Sequence, residues 1–382
     1  MKNLWTPLMM FLLLLACNAN DDEQMPVLSS LEITSSNGNE LDLFATKTTS
    51  LNVDGKDQFG ASITISSTVQ WASNNDNATV TQRGEVTGQT VGSSIITASV
   101  GNVSEDFSID IIDSTPEKGT FIYVSDAVKF NTGPWNIYRY DENGQNPTVF
   151  IDSGLNWPQD ILFLEDENQV LISNLNSGRI NRHNANTGTL LGSFATGING
   201  PTRIKIGPDN LLYVLQWSGN GRVLRYQLDG TFVDEFTSVR VTQSIGLDWD
   251  ANNNLYVSSF DGASVRKFDA NGNDLGLFIT SNLQGPTNIW FDADGNLLVN
   301  DWSGNSVEQF DANGNHTKSL IPSGLSQPEG VDFFPNGNFL IGSGGTKEVK
   351  LYDSSGSFLQ TLVSAGSGGL VQPNAVRIRT ID

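Results

Sequence analysis

Three oxygen-bearing side chains stand directly after a proline that opens a short apolar run. They are Gln159 in PQDI, Glu329 in PEGV and Asn374 in PNAV. Because the three runs are alike, we expect these side chains to take equivalent places in neighbouring units of a repeated structure. Carboxylate and amide oxygens are the ligands that Ca²⁺ and Mg²⁺ prefer. The sequence therefore offers one candidate metal site, although side chains that cap strand ends would use the same residues without a metal.

Aromatic side chains recur at a second equivalent position, in loops after the second apolar stretch of each unit. Trp217, Phe260 and Trp302 hold this position, Asp301 stands beside the last of them, and Trp157 lies in a connection between units. Aromatic rings stack on the C–H faces of sugars, and carboxylates pair with sugar hydroxyls. These five residues form the candidate ligand-binding set. The alternative role for the rings is packing between neighbouring units.

The hexapeptide FDANGN occurs twice, at Phe268–Asn273 and at Phe310–Asn315. Asp opens a tight turn by accepting hydrogen bonds from nearby backbone N–H groups, and Gly supplies a positive φ. The related stretch Asp292–Asn296 begins like a calcium-binding EF-hand loop, but Ser303 stands where that loop needs a glutamate. These aspartates are therefore predicted to shape hairpins and not to hold metal.

Other reactive groups are scarce. The chain has one cysteine and two histidines, and it contains neither a Gly-x-Ser-x-Gly nucleophile motif nor a Gly-Lys-Ser/Thr phosphate-binding loop. His183 replaces an aromatic residue of the other units and is predicted to lie in a strand. Lys205 with Asp248, and Asp332 with Arg377, are predicted to form ion pairs between neighbouring inner strands. These charges therefore favour a structural role over catalysis.

Repeated units from residue 120 onward must position the candidate residues. The units open with PQDI, PTRI, SIGL, PTNI, PEGV and PNAV, at residues 158, 201, 244, 286, 328 and 373. Each complete unit holds four short apolar stretches separated by tight turns, which predicts a four-stranded antiparallel blade of a β-propeller. Thr120–Leu155 supplies three strands and Asn374–Thr380 supplies one. We therefore predict that the C-terminal strand completes the first blade and closes a six-bladed ring, which removes exposed sheet edges.

The pattern of residues 120–382 resembles the NHL family of six-bladed β-propellers. PEGV and PNAV are also similar to the Pro-Asn/Asp-Gly segments of gluconolactonase-like propellers, in which acidic and amide side chains hold a divalent metal over the central channel. That second resemblance implies a metal-dependent hydrolase with Glu329, Asn374 and Gln159 as ligands. The glutamine and the glutamate depart from the family pattern. A propeller fold by itself specifies no function.

Residues 27–113 are predicted to form a separate domain. The runs VQWASN, ATV, GEVTG and GSSIITA, between residues 69 and 98, resemble the bacterial Ig-like domain, group 2. This resemblance implies a β-sandwich that acts as a spacer or an adhesive stalk. Trp71 is predicted to be a core residue between its two sheets. Residues 114–119, which are polar and contain a proline, are predicted to be the linker to the propeller.

The N-terminal residues resemble a bacterial lipoprotein signal. Residues 1–16 carry Lys2 and then an apolar run too short to span a bilayer. The sequence LLAC ending at Cys17 resembles a lipobox, which implies lipid attachment at that cysteine. Residues 17–26 are polar and acidic, so they are predicted to be a flexible tether. Acidic residues in this place resemble the surface-export signal of Bacteroidota lipoproteins, which implies an outer-membrane protein exposed at the cell surface.

The sequence as a whole predicts an all-β chain, an Ig-like β-sandwich followed by a six-bladed β-propeller closed by the C-terminal strand. Its net charge of −21 argues against nucleic acid and against docking on anionic lipid, so the lipid anchor is the predicted contact with the membrane. The predicted function is binding of a surface protein or a glycan, with the Ig-like domain as spacer and no cofactor. The alternative is the metal-dependent hydrolase, with Ca²⁺ or another divalent ion.

Overall fold

The structure, a computed structural model, describes residues 25–35, 41–44, 48–112 and 117–381. The predicted signal peptide (1–16), Cys17, most of the tether and part of the linker lie outside the described residues. The chain divides into two compact units, residues 1–114 and 115–382. Within the described ranges, no helix is long and apolar enough to cross a membrane.

The first unit contains two β-sheets. Its strands are β1 (Leu28–Ser35), β2 (Leu41–Phe44), β3 (Thr48–Asp57), β4 (Ser62–Ile63), β5 (Gln70–Ser73), β6 (Ala78–Val80), β7 (Glu85–Gly88), β8 (Gly92–Val100) and β9 (Val103–Ile112). One sheet has the order β1–β3–β7–β6 with β4 beside β3, and the other has the order β2–β9–β8–β5. β2 runs parallel to β9, whereas β8 runs antiparallel to both β5 and β9.

One hydrophobic core holds the first unit together. Alternate residues of β8 are buried, as expected for a strand with one face on a core. Trp71 is 7 % exposed and belongs to a buried cluster with Leu51, Val86 and Phe107. The predicted core position of Trp71 is therefore confirmed.

The second unit contains six four-stranded antiparallel sheets within residues 117–381. Apart from the C-terminal strand, the strands of the first three sheets are β10 (Gly119–Asp126), β11 (Ile137–Asp141), β12 (Thr148–Ile151), β13 (Pro158–Leu164), β14 (Gln169–Asn174), β15 (Arg179–Asn184), β16 (Leu190–Thr196), β17 (Pro201–Ile206), β18 (Leu212–Gln216), β19 (Leu224–Tyr226) and β20 (Phe232–Glu235). The later strands are β21 (Ser244–Trp249), β22 (Leu255–Ser259), β23 (Ser264–Phe268), β24 (Asp274–Ile279), β25 (Pro286–Phe291), β26 (Leu297–Asp301), β27 (Ser306–Phe310), β28 (His316–Ile321), β29 (Pro328–Phe333), β30 (Phe339–Ser343), β31 (Glu348–Tyr352), β32 (Phe358–Val363) and β33 (Pro373–Ile381).

The C-terminal strand β33 belongs to the first of these sheets, whose order is β12–β11–β10–β33. Thr120 lies opposite Thr380 and Tyr123 lies opposite Arg377, so the predicted pairing of the two ends of the unit is confirmed. The other five sheets each contain four consecutive strands. Their first strands lie side by side in the series β13, β17, β21, β25 and β29, and β33 lies against both β29 and β13.

The first strands approach one another closely where their side chains are small. A Cβ atom added to Gly246 of β21 would lie 2.1 Å from the backbone oxygen of Thr287 in β25 and 2.9 Å from the nitrogen of Ile289. Both distances are shorter than a normal contact, so only glycine lets the two backbones come this near. The small residue therefore sets the spacing of these two strands.

The FDANGN turns have the predicted geometry. Asp269 Oδ1 accepts hydrogen bonds from the backbone nitrogens of Asn271 and Asn273, each at 2.8 Å, and Gly272 has a φ of 79°. Asp311 makes the same two bonds in its own turn, each at 2.9 Å. Hydrogen bonds from Asn273 lower the pKa of the Asp269 carboxyl. These aspartates shape hairpins, as the sequence predicts.

Candidate functional site

Four of the five residues predicted to bind a ligand line one pocket in the second unit. Trp217, Phe260 and Trp302 follow β18, β22 and β26, the second strands of three consecutive sheets, and Trp157 immediately precedes β13. The pocket has a volume of about 160 Å³. We call it the aromatic pocket, and it is lined by Phe130, Trp157, Gln159, Leu175, Trp217, Ile245, Phe260, Thr287, Trp302 and Glu329.

The rings of the aromatic pocket contact one another and also face the cavity. The centroids of Trp217 and Phe260 are 5.8 Å apart, and those of Phe260 and Trp302 are 5.7 Å apart. Phe130 and Trp157 form a second pair at 5.0 Å. All five rings stay partly exposed, so they pack against one another and also offer an accessible surface to the cavity.

Two residues lie differently from what their sequence positions indicate. Phe130 was not among the residues predicted to bind a ligand. The feature of the sequence that could have indicated it is the longer loop between β10 and β11, in which it lies. Asp301 was predicted to bind ligand, but its carboxylate accepts hydrogen bonds from the backbone nitrogens of Gln284 at 2.9 Å and Gly285 at 2.7 Å. Asp301 is 2 % exposed and does not line the aromatic pocket, so the structure places it as a brace between the end of β26 and the connection from β24 to β25.

Arg203 in β17 gathers two of the side chains that the sequence proposes as metal ligands. Its Nη2 donates to Glu329 Oε1 at 3.0 Å and to Asn374 Oδ1 at 3.1 Å, and its Nε donates to Asn288 Oδ1 at 2.8 Å. Arg203 is 3 % exposed. The sequence analysis did not predict this role for Arg203. Arg203 in PTRI holds the same place as Asp160 in PQDI, and a charged residue at that repeated place could have indicated it. The cation at the centre of this network is thus a guanidinium of the protein.

These residues, as arranged, do not fit a divalent cation. Glu329 and Asn374 present to Arg203 the oxygens that would ligate a metal, so a divalent ion would have to displace the guanidinium from both. The third predicted ligand, Gln159, lines the aromatic pocket, and its buried Nε2 has no hydrogen-bond partner among the described residues. Among those same residues, no group of three or more His, Cys, Asp or Glu side chains is placed to hold a metal ion.

Glu329 connects the Arg203 network to the aromatic pocket. Its Oε1 accepts from Arg203, whereas no described residue donates to its Oε2, and the side chain remains 15 % exposed. Burial raises the pKa of the Glu329 carboxyl, and the negative charge of Asp160 adds to this shift, while the positive charge of Arg203 opposes it. The carboxylate is the charged group in the lining of the aromatic pocket.

A second cavity, of about 210 Å³, lies on the other side of the Arg203 network. We call it the inner cavity, and its lining includes Asp160, Arg203, Lys205, Gly330, Asp332, Ala375 and Arg377. Lys205 Nζ lies 2.7 Å from Asp248 Oδ1. Arg377 lies 3.3 Å from a carboxylate oxygen of Asp160 and 3.7 Å from one of Asp332. Both predicted ion pairs are therefore confirmed, and they tie neighbouring first strands together.

The two histidines do not form a nucleophile site. His183 lies in β15, as predicted, and is fully buried. His316 Nε2 lies 2.6 Å from Glu308 Oε2, and the hydroxyls of Ser306 and Ser319 donate to the same carboxylate. A serine nucleophile needs its hydroxyl to donate to the imidazole, but here both hydroxyls donate to the carboxylate. This cluster is a hydrogen-bonded brace between β27 and β28.

Comparison with known proteins identifies the first unit. Residues 44–110 match the bacterial Ig-like domain (group 2) family. The first unit therefore contains the Ig-like domain that its sequence predicts. The match ends before the second unit begins, so it says nothing about the aromatic pocket.

Comparison with solved structures shows the fold of the second unit. A chain in the crystal structure of a nidogen/laminin complex superposes with a TM-score of 0.56 at 16 % identity, covering 68 % of this chain and 98 % of that one. A protein of unknown function from Bacteroides caccae superposes with a TM-score of 0.54 at 15 % identity, with the same two coverages of 68 % and 98 %. Such neighbours are propeller proteins, and at this identity the likeness shows the fold alone. A comparison with curated proteins finds no match.

Proposed function

We propose that this chain is a cell-surface binding protein, in which residues 120–382 form a closed six-bladed propeller that binds a surface protein or a glycan through the aromatic pocket. Six four-stranded sheets support the blade count. The contacts of β33 with both β29 and β13 support closure, because they return the series of first strands to its start. Ring closure removes exposed sheet edges and holds the loops that follow the second strands on one face.

The convergence of rings from several sheets carries the proposal. Phe130, Trp157, Trp217, Phe260 and Trp302 come from five separate loops and line one cavity. Partly exposed aromatic side chains around a concave, mostly apolar site are typical of ligand-binding pockets and of binding hot spots. Complete burial of these rings would stabilise the fold more, because each ring surface left exposed to water does not contribute to the hydrophobic free energy of folding.

The first unit and the N-terminal residues complete the proposal. The match of residues 44–110 to the bacterial Ig-like domain supports a role for the first unit as a spacer. The resemblance of LLAC to a lipobox and the acidic residues after Cys17 support lipid attachment at Cys17, outer-membrane location and surface exposure. The hydrolase alternative is less favoured, because the guanidinium of Arg203 takes the place that its metal would need.

The proposed function is tested with two pocket variants and one matched control. Trp217→Ala and Trp302→Ala each remove a ring from the aromatic pocket, whereas Phe358→Ala removes an exposed ring from the outer strand β32. Binding of the full chain to a glycan array and to isolated cell-surface proteins is measured for all three. We expect the two pocket variants to lose at least about tenfold in affinity, the size typical of a binding hot spot, and the control to keep wild-type affinity. Equal binding by all three would refute the aromatic pocket as the site.

A further inference from the structure

The aromatic pocket has the composition of a cation-binding cage. Its five rings include three tryptophans, Trp157, Trp217 and Trp302, and the face of an indole ring attracts a cation more strongly than the face of any other side chain. The faces of aromatic rings carry partial negative charge, so a cation held among several of them is stabilised without a hydrogen bond. These rings surround a cavity, and the three pairs in contact are not stacked in parallel planes, since the angles between their planes are 53°, 48° and 71°.

The charged group at the base of the pocket favours a cation over an anion, while the indole nitrogen of Trp157 and the amide nitrogen of Gln159 are buried without a partner among the described residues. Glu329 presents a carboxylate with one oxygen bonded to Arg203 and the other without a donor among the described residues. Thr287 uses its hydroxyl to donate to the backbone oxygen of Pro328 at 3.0 Å and is 1 % exposed. Arg203 does not line the aromatic pocket, because its guanidinium faces the network on the other side of Glu329. The net charge of −21 adds long-range attraction for cations.

The size of the pocket and its few free acceptors narrow the kind of cation. A volume of about 160 Å³ is close to that of an engineered cavity of about 150 Å³ that binds benzene, so the pocket holds one compact group. A primary ammonium brings three N–H donors, and a sugar brings several hydroxyls. Each of these groups loses free energy if it leaves water without a partner. A quaternary ammonium has no N–H donor, so the single free carboxylate oxygen and the rings are sufficient for it.

We infer that the aromatic pocket binds a quaternary ammonium group, specifically a trimethylammonium group carried by the surface ligand. This inference rests on the proposed function, since it names the chemistry of the group that the binding pocket receives. The rings contact the methyl groups, and Glu329, whose Oε1 is paired with Arg203, presents its remaining oxygen at the base. The surface source that we assign is a choline-type headgroup on a glycan or lipid, and a trimethylated lysine on a protein is an outcome of the test.

The test compares a cation with its neutral isostere on the full chain. Choline and 3,3-dimethyl-1-butanol have the same shape and differ by replacement of the charged nitrogen with carbon. Affinities are measured by calorimetry and by tryptophan fluorescence at constant ionic strength. We expect choline to bind at least about tenfold more tightly than the alcohol, as cation–π attraction in a partly dehydrated site requires. Phosphocholine and an N-trimethyl-lysine peptide then distinguish the two sources.

Two variants assign the effect to the rings and to the charge. Trp302→Leu is expected to weaken choline binding by at least about tenfold. Glu329→Gln keeps the shape of the side chain, so it is expected to weaken the binding of choline more than the binding of the neutral alcohol. Phe358→Leu is the control, and near-ultraviolet circular dichroism confirms that each variant is folded. If Glu329→Gln does not fold, the comparison of choline with the alcohol and the Trp302→Leu variant still decide the matter.

The possible failures are distinguishable. Equal affinity for choline and the alcohol, or no binding of choline beside clear binding of unmodified sugars, would overturn the quaternary-ammonium inference and leave the proposed function standing. Unchanged capture of the glycan or surface-protein ligand by Trp217→Ala and Trp302→Ala would overturn both, because then the aromatic pocket is not the binding site.

Discussion

Replacing Arg203 with methionine removes the cation at the centre of the network between the two cavities. The substitution leaves the Glu329 carboxylate without its counter-charge and leaves the amide oxygens of Asn288 and Asn374 without their donors. The Arg203 and Glu329 side chains are only 4 % and 15 % exposed, so water cannot fully replace the lost bonds. Loss of one partner of a buried ion pair costs about 3–5 kcal/mol in the free energy of unfolding. We expect Arg203→Met to fall in that range.

The measurement is urea unfolding of the full chain, followed by tryptophan fluorescence and by circular dichroism so that the transition of the second unit is separated from that of the first. Arg266→Met is the matched control. Arg266 also pairs with a carboxylate, that of Asp274 at 2.6 Å, but the two side chains are 26 % and 28 % exposed. Exposed pairs contribute about 0–1 kcal/mol, so the control is expected to remain near the wild type.

A double variant separates the charge from the packing. Arg203→Met combined with Glu329→Gln removes both charges, and replacement of a whole buried pair by neutral groups is often close to neutral in stability. We therefore expect the second substitution to restore most of the stability that the first removes. If Arg203→Met costs no more than Arg266→Met, or if the double variant is less stable than Arg203→Met alone, the buried ion pair does not have the role assigned to it.

Two further predictions concern buried groups elsewhere in the second unit. Burial lowers the pKa of His183 from 6.5 to about 4, so the unfolded chain binds the proton first and stability falls as the pH drops from 6.5 to 4. At 1.36 kcal/mol per pKa unit, the loss in the free energy of unfolding over this pH range is about 3 kcal/mol. His183→Phe restores the aromatic residue of the other repeats, so we expect it to remove this part of the acid sensitivity. Equal pH dependence of the wild type and the variant in urea unfolding would contradict the prediction. Gly246→Ala places a Cβ atom 2.1 Å from the oxygen of Thr287, so we expect a loss of about 1–3 kcal/mol in the same assay, and wild-type stability would show that β21 and β25 can separate at no cost.

The repeats made much of the fold and part of the site predictable. Trp217, Phe260 and Trp302 stand at the same place in consecutive units, and equal places in a repeated sheet lie on the same face. Their convergence on one pocket therefore follows from sequence periodicity. Phe130 does not follow from it, because its loop has no counterpart in the other units.

The direction in which a side chain points was harder to predict than the position of its residue in the repeat. Asp301 adjoins Trp302 in sequence, yet its carboxylate turns to the backbone of Gln284 and Gly285 while the indole faces the pocket. Neighbouring residues at the end of a strand point to different sides, so adjacency to a pocket residue does not place a side chain in the pocket. The backbone nitrogens that donate to Asp301 belong to the connection between β24 and β25, and no residue type in the sequence marks them as its partners.

Arg203 shows why the centre of the site could not be predicted from one repeat at a time. Its partners Asn288, Glu329 and Asn374 lie on three other sheets, so their contact depends on the long reach of the side chain. Gly330 and Ala375 line the inner cavity together with Arg203, and a Cβ atom on Gly330 would lie 2.3 Å from the backbone oxygen of Asn374, so glycine allows β29 to approach β33 at this point. The guanidinium of Arg203 supplies positive charge to this network without an ion from solution. Its bond to Oε1 orients the carboxylate of Glu329. The bond that occupies Oε1 therefore leaves the remaining oxygen, Oε2, available to the aromatic pocket.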